Sequence, residues 1–282
     1  MNILITGGAG YIGSTVAWYF IDKGHKVTII DNLKNGTLLN IPRKANFIKS
    51  DINNINKLNK LINVRYDVVL HFAGLKNNIE SFKKKKRYIY NNFNKSKKFI
   101  EFCISKGINN FIFSSTAAVY GSKHIKIKED MKLEPISPYA ISKFKLEKFF
   151  LEKKKINYVI LRYFNVAGVE KKSRCGFSNK NDNSLFYNLC ISYLNDKIFN
   201  IFGNNLKTVD GTPIRDFIYV SDLAKIHYFF SKQINKNNYR LILNCGYGRG
   251  TSVLEVVNTF NKIFIKKVNY KFLKKRDGDI NY

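Results

Sequence analysis

Acid is scarce in this chain of 282 residues: 20 Asp and Glu stand against 49 Lys and Arg, for a formal net charge of +29. Cysteine, proline and histidine are equally sparse, at 4 residues each. The cysteines, Cys103, Cys175, Cys190 and Cys245, form no C-x-x-C pair and lie far apart. That pattern argues against both a zinc site and a disulfide framework and fits a reducing compartment; no metal is expected. No apolar run approaches the ~18–20 residues needed to cross a bilayer. The N-terminus, Met1 to Gly8, carries no basic segment ahead of its apolar stretch, so no secretory leader is read there. The expectation is a soluble, cytoplasmic protein.

The positive charge does not by itself specify a nucleic-acid partner. Of the 49 basic residues 40 are Lys and 9 are Arg, and Lys lacks the planar fork that reads bases and phosphates. Asn and Ile are abundant too, as AT-biased coding produces. The densest run, Lys83 to Arg87, lies in a stretch with helical character and reads as a solvated face. Neither nucleic acid nor membrane is expected as a partner, although so positive a field helps draw in a diphosphate. With 45% hydrophobic residues, the chain can bury a substantial core and is not disordered as a whole.

Short apolar runs recur at Ile3–Thr6, Val27–Ile30, Val68–His71, Phe111–Ser114 and Tyr158–Leu161. Helix-length amphipathic stretches separate several of them, notably Tyr11–Lys23, Ile79–Lys106 and Pro138–Lys154. That rhythm predicts an α/β fold, a doubly wound parallel sheet of the Rossmann type. Ser137 and Pro138 supply an N-cap and a first helical residue for the last of these helices. Beyond Gly168 the pattern turns irregular, with a polar stretch from Glu170 to Asn183, a helix near Leu185–Leu194 and scattered short strands. This predicts a smaller lobe rather than a second regular sheet.

Directly after the first strand, Gly7, Gly10 and Gly13 are spaced G-x-x-G-x-x-G. Glycine at such positions lets the backbone turn tightly, approach a pyrophosphate and pack helix on strand, with the helix N-terminus facing the anion. Asp31 ends the second strand, where a carboxylate accepts hydrogen bonds from an adenosine ribose and repels a 2′-phosphate. The combination favours NAD over NADP.

Two later segments carry candidate chemistry: Ser114-Ser115-Thr116-Ala117-Ala118-Val119-Tyr120-Gly121 closing a strand, and Ser137-Pro138-Tyr139-Ala140-Ile141-Ser142-Lys143 opening a helix. Tyr139 and Lys143 are four apart and share a helix face. A phenol, with a reference pKa near ~10, is a poor base at neutral pH, but an adjacent cation favours the phenolate. Tyr139 is therefore a candidate to exchange a proton with a sugar hydroxyl while a nicotinamide exchanges hydride, with Thr116 sharing that hydroxyl from the strand end.

In this order the motifs resemble the extended short-chain dehydrogenase/reductases, and most closely their UDP-glucose 4-epimerase family, over nearly the whole chain. The matching stretches are Thr6 to Gly13, Asp31 to Leu33, His71 to Lys76, the two segments above, Leu161 to Asn165 and Asp210 to Asp216. The resemblance implies Tyr139, Lys143 and Thr116 as catalytic residues. It implies that Gly7, Gly10, Tyr11, Ile12 and Gly13 cradle the cofactor and that Asp31 and Asn32 hold the adenosine ribose. Asp51 and Ile52 then flank the adenine, Phe72, Ala73 and Lys76 line the groove, and Asn92, Tyr139, Lys143 and Tyr163 also face NAD. On the substrate side it implies Asn165, Leu185, Phe202, Arg215, Arg276 and Asp279 as the grip on UDP. The implied division is residues 1–168 with 215–245 for NAD and 169–214 with 246–282 for the nucleotide sugar. The implied reaction interconverts UDP-glucose and UDP-galactose at carbon 4 through a 4-keto intermediate, with NAD retained. A homodimer built from the helices around Ile79–Lys106 and Pro138–Lys154 is implied as well.

A nucleotide-sugar 4,6-dehydratase is disfavoured, because acidic residues follow the Thr in those enzymes whereas Ala117 and Ala118 follow Thr116 here. Other departures fall on the substrate side: Phe217 where relatives carry Tyr, Ser184 where they carry an amide, and Asn77-Asn78 in place of small residues. The chain stops at Tyr282, shortly after Arg276-Asp277-Gly278-Asp279, whereas relatives continue for some tens of residues. Alternative readings are therefore an epimerase of another UDP-sugar, N-acetylated or pentose, or a shortened NAD-binding relative with little turnover.

Overall fold

The computed structural model describes residues 1–62, 64–122, 126–177, 184–235 and 239–275. The chain runs β1 (Asn2–Thr6), α1 (Tyr11–Asp22), β2 (Lys26–Asp31), β3 (Asn46–Lys49), α2 (Ile55–Leu61) and β4 (Val68–His71). It continues through α3 (Asn78–Lys83), α4 (Lys85–Ile89), a π-helical turn (Tyr90–Asn94), α5 (Lys95–Ser105), β5 (Asn110–Thr116), α6 (Pro138–Glu152) and β6 (Asn157–Tyr163). The remainder is β7 (Asn165–Ala167), α7 (Leu185–Leu194), β8 (Phe199–Phe202), β9 (Ile214–Tyr219), α8 (Val220–Gln233), β10 (Arg240–Cys245), β11 (Gly250–Ser252), α9 (Val253–Ile263) and β12 (Tyr270–Leu273).

Seven strands form one parallel sheet in the order β10-β6-β5-β4-β1-β2-β3. This is the expected doubly wound α/β arrangement. Both faces of the central strands are buried, which is why they read as continuous apolar runs rather than alternating ones. Ile3 and Ile5 of β1 pack with Val16 and Phe20 of α1 and with Leu223 of α8. Leu4 points the other way, into a cluster with Phe99 of α5 and Leu146, Phe149 and Phe150 of α6. The chain reverses its direction of travel along the sheet between β1 and β4, opening a crevice at the carboxyl ends of the strands where such folds hold ligands.

The single helix expected over Ile79–Lys106 is instead segmented. Lys84 leaves helical geometry, with φ −125° and ψ 41°, and the π-helical turn at Tyr90–Asn94 inserts between α4 and α5. Hydrophobic periodicity is blind to such an extra residue per turn, and π-turns of this kind frequently accompany functional sites. Lys83 to Arg87 are solvent-exposed, and Lys84 and Arg87 pair with Glu80 at 2.7 and 3.6 Å.

From Asn165 onward the chain also builds two further small sheets, β11-β9-β7 and β12-β8, around a separate core of Leu189, Phe199, Ile201 and Val257. The scattered strands expected there thus do pair into regular, though small, sheets. The four cysteines are unpaired, three of them buried. Among the described residues no helix is long and apolar enough to cross a membrane.

Candidate active site

The glycine-rich turn joins β1 to α1. Gly7 has φ +71°, and a Cβ there would meet the Ala73 backbone nitrogen at 2.7 Å. A Cβ on Gly13 would lie 2.4 Å from the Gly7 carbonyl oxygen, so helix and turn touch backbone to backbone. Gly10 occupies the N-cap of α1 and contributes no side-chain cap, and the first turn holds no acid. The first-turn N–H groups at Tyr11, Ile12 and Gly13 have no carbonyl partner within the helix, and they place its positive end at the turn, where an anion is favoured.

Asp31 closes β2 beside this turn. Its Oδ2 accepts the Ala9 N–H at 3.0 Å and its Oδ1 accepts the Leu33 N–H at 2.8 Å. Burial nevertheless pushes its carboxyl above the ordinary range. Further along, the Asn32 amide donates to Asp51 at 3.1 Å, and the Lys95 ammonium donates to the same oxygen of Asp51 at 2.8 Å. Ile52 is buried next to them. These residues make a polar rim, one that a ribose and an adenine edge fit.

The opposite wall follows β4. Phe72 packs on His227 with ring centroids 4.9 Å apart, and a Cβ on Gly74 would stand 3.3 Å from Asn92 Oδ1 and 3.7 Å from Lys143 Nζ. Asn92, carried inward by the π-turn, accepts from the Leu75 N–H at 2.8 Å and donates to the Leu75 carbonyl at 2.9 Å and to Ser142 Oγ at 3.1 Å. Its amide thus fixes the Ala73–Leu75 backbone against α6. Lys76 lies over the Phe177 ring at 5.4 Å, and Phe177 stacks on Tyr11 at 4.0 Å. Phe177 was not anticipated from the sequence. It follows residues held to the dinucleotide-fold half by Asn40, whose amide exchanges two hydrogen bonds with the Gly176 backbone, and by Arg174, which pairs with Asp22 at 2.8 Å.

Helix α6 is capped as expected: Ser137 Oγ accepts the Ala140 N–H at 3.1 Å, with Pro138 in the first turn. This orients Tyr139 and Lys143 toward the carboxyl end of β5. Burial raises the pKa of the Tyr139 phenol, and the neighbouring Thr116 hydroxyl offsets part of that rise. Lys143 donates to the Ser114 carbonyl at 2.7 Å and sits 4.9 Å from the Phe113 ring centroid. Burial lowers its pKa to about 8, with Glu147 pulling in the opposite direction. An ammonium so poised, beside a buried phenol and a strand-end hydroxyl, suits proton exchange with an alcohol.

Tyr163, at the end of β6, is buried, and its hydroxyl lies 2.7 Å from His227 Nε2, while His227 Nδ1 lies 2.8 Å from the Leu223 carbonyl oxygen. Burial depresses the His227 pKa to about 4, so the ring is neutral. It donates from Nδ1 to Leu223 and accepts the Tyr163 proton at Nε2. His227, Glu147 and Ser115 were not anticipated as contributors; the one available signal was Glu147 continuing the four-residue spacing of Tyr139 and Lys143.

On the lobe side, parallel pairing of β7 with β9 sets the exposed Asn165 opposite Phe217, two residues from Arg215, which pairs in register with Thr251. Leu185 opens α7 and packs, with Phe186 and Phe217, on the lobe core. Phe202 ends β8, whose Ile201 belongs to the same core. Arg276 and Asp279 lie outside the described residues.

Residues 3–246 match the model of the NAD dependent epimerase/dehydratase family. A UDP-glucose 4-epimerase of Azospirillum brasilense is 38% identical over 284 residues, spanning 99% of this chain and 82% of that protein. A bifunctional UDP-glucose 4-epimerase and UDP-xylose 4-epimerase of Arabidopsis thaliana is 35% identical over 99% of this chain and 85% of its own length. Among solved structures, a UDP-glucose-4-epimerase from Stenotrophomonas maltophila with bound NAD and formylated UDP-arabinopyranose superposes with a TM-score of 0.94. It is 30% identical, and the match covers 100% of this chain and 88% of that one.

Proposed function

Because the chain belongs to the NAD dependent epimerase/dehydratase family, we infer that it is an isomerase that reversibly epimerises UDP-glucose and UDP-galactose at carbon 4 through a 4-keto intermediate. NAD is its cofactor, and the crevice fits it: a helix N-terminus with no side-chain cap at Gly10, a turn in which Gly7 and Gly13 leave no room for a Cβ, and a carboxylate at the end of β2. Bound there, NAD would supply a reversible acceptor for the carbon-4 hydride, so that no net redox change results.

The observation that carries the catalytic assignment is the buried Tyr139 phenol beside the end of β5, near Thr116, with the Lys143 ammonium one turn on along α6 and bonded to the Ser114 carbonyl. Tyr139 accepts the proton of the sugar hydroxyl and later gives it back. Lys143 supplies the positive charge that favours its phenolate, and Thr116 orients the same hydroxyl. The N–H groups around Gly7, Gly10, Tyr11, Ile12 and Gly13 hold the cofactor pyrophosphate. Asp31 and Asn32 hold its ribose, Asp51 and Ile52 its adenine, and Phe72, Ala73 and Lys76 the groove wall. Asn92 acts through the Leu75 backbone, and Tyr163 would stand near the nicotinamide. Asn165, Leu185, Phe202 and Arg215 hold the UDP moiety, with Arg276 and Asp279 completing the set; an Arg suits the pyrophosphate and a carboxylate the uridine ribose. Residues 1–168 with 215–245 form the NAD-binding part, supported by β10 joining the main sheet and α8 packing in its core. Residues 169–214 with 246–282 form the substrate lobe, supported by its separate core.

A homodimer through the α3–α5 and α6 faces, where Phe82, Tyr90 and Leu151 stand exposed, and a cytoplasmic setting, which unpaired cysteines suit, complete the proposal. Sedimentation of the purified protein tests the dimer: a single species at the monomer mass rejects it. Incubation with UDP-glucose, UDP-galactose, their N-acetyl counterparts and UDP-pentoses, read by NMR, tests the activity. Interconversion of the first pair is expected, and failure to convert either one, with UDP binding intact, would overturn it.

A further inference from the structure

Two consecutive residues near the end of β5 are tied to successive turns of α6: the Ser114 carbonyl accepts Lys143, and the Ser115 hydroxyl donates to the Glu147 carboxylate. The next residue, Thr116, lies near enough to Tyr139 for its hydroxyl to lower the pKa of the phenol. Glu147 is 1% exposed and its other oxygen receives Arg162 Nη2 at 2.8 Å, the arginine itself being 3% exposed. Arg162 is the register partner of Ser115 across the β5–β6 pair. It reaches on to the Tyr120 hydroxyl at 2.6 Å, and Tyr120 in turn donates to Asn244 of β10 at 2.8 Å. The short turn Ala117–Tyr120 that follows Thr116 is therefore clamped at both ends by groups that converge on Glu147.

We propose that Glu147 is a positioning residue of the epimerisation, holding Thr116 against Tyr139 through Ser115 directly and through Arg162 and Tyr120 at the far end of the turn. The proposal rests on the functional reading above and adds a residue to it. An isolated buried glutamate is costly, and burying an ion pair is often no better for stability than apolar packing. Here the second carboxylate oxygen is engaged with a hydroxyl one residue from the strand-end Thr116. Proton exchange with a sugar hydroxyl requires its partners within about 3 Å, and misplacement by ~1 Å can cost on the order of a hundredfold in rate.

Ser115→Ala cuts the link and leaves the Glu147–Arg162 pair in place. Its NAD content and its KM for UDP-galactose should equal those of the parent protein, while kcat per NAD-loaded site falls at least about tenfold. The double variant Ser115→Ala/Thr116→Ala should be no slower than Thr116→Ala alone, because both act at one point. Glu147→Gln, where it folds, should show the same kcat-only loss. A smaller fall in kcat, a loss that appears in KM or NAD content, or independent multiplication of the two substitutions overturns the proposal. Conversion of UDP-galactose by the parent protein, run alongside, reports separately on the activity itself.

Discussion

The Glu147 carboxylate and the Arg162 guanidinium meet at 2.8 Å with almost no solvent contact, 15 residues apart in the chain. Removing one member of such a pair leaves the other charged, buried and unmatched. Arg162→Met should therefore cost about 3–5 kcal/mol of stability, read as a lower urea midpoint with an unchanged slope. Replacing both members with apolar residues of similar volume should recover much of that loss. A single variant as stable as the parent would contradict this account of the pair.

Gly13→Ala places a methyl 2.4 Å from the Gly7 carbonyl and 2.9 Å from Gly8 Cα, and both obstacles are backbone. The helix must withdraw from the turn, which pulls the N–H groups of its first turn away from the pyrophosphate. The variant is expected to lose bound NAD on gel filtration while far-ultraviolet circular dichroism stays close to that of the parent. Retention of stoichiometric NAD would show that the turn does not hold the pyrophosphate in this way.

Lys143 has a folded-state pKa lowered to about 8 by burial. It is a cation below that value and neutral above it, so its support for the Tyr139 phenolate fades as pH rises through 8. The kcat profile should descend on its alkaline side with a midpoint near there. Tyr139→Phe should lower kcat by ~10²–10⁴-fold across the range and keep its NAD. An alkaline limb displaced beyond pH 10, or a fully active phenylalanine variant, would remove the assigned roles.

The parts of this architecture that rest on local spacing were legible in the sequence. The first, second, fourth, fifth and sixth strands announced themselves because burial on both faces makes them uniformly apolar. The glycine turn, Asp31, Tyr139 and Lys143 were visible because each motif is a few residues long. The edge strand β3, Asn-Phe-Ile-Lys, has two apolar residues and no distinguishing run. Helix α8 and strand β10 were hidden in a stretch whose burial depends on distant partners: α8 packs against α1, and β10 pairs with β6. The Tyr163–His227 contact joins residues 64 apart, and no periodicity reports a pair of that kind.

Two buried histidines make the acid sensitivity of the fold predictable in sign. His71 bonds Thr6 Oγ1 at 2.8 Å and Ser96 Oγ at 2.9 Å, and burial, with the charge of Lys143 adding to it, lowers its pKa to about 3. For His227 burial brings the value to about 4. An unfolded histidine binds its proton near pH 6.5, so between that pH and about 4 the unfolded chain carries two protons that the folded chain does not. Stability is therefore present in full above pH 6.5 and is lost as pH falls, by roughly 1.4 kcal/mol per pH unit for each ring. Urea titrations of the parent at pH 7 and pH 5 should show a drop approaching about 4 kcal/mol. His227→Phe, although less stable at pH 7 for want of the Tyr163 bond, should lose about half as much on acidification. A drop that His227→Phe leaves unchanged would mean that the ring is protonated in the folded state, and Tyr163 would then have no acceptor at Nε2.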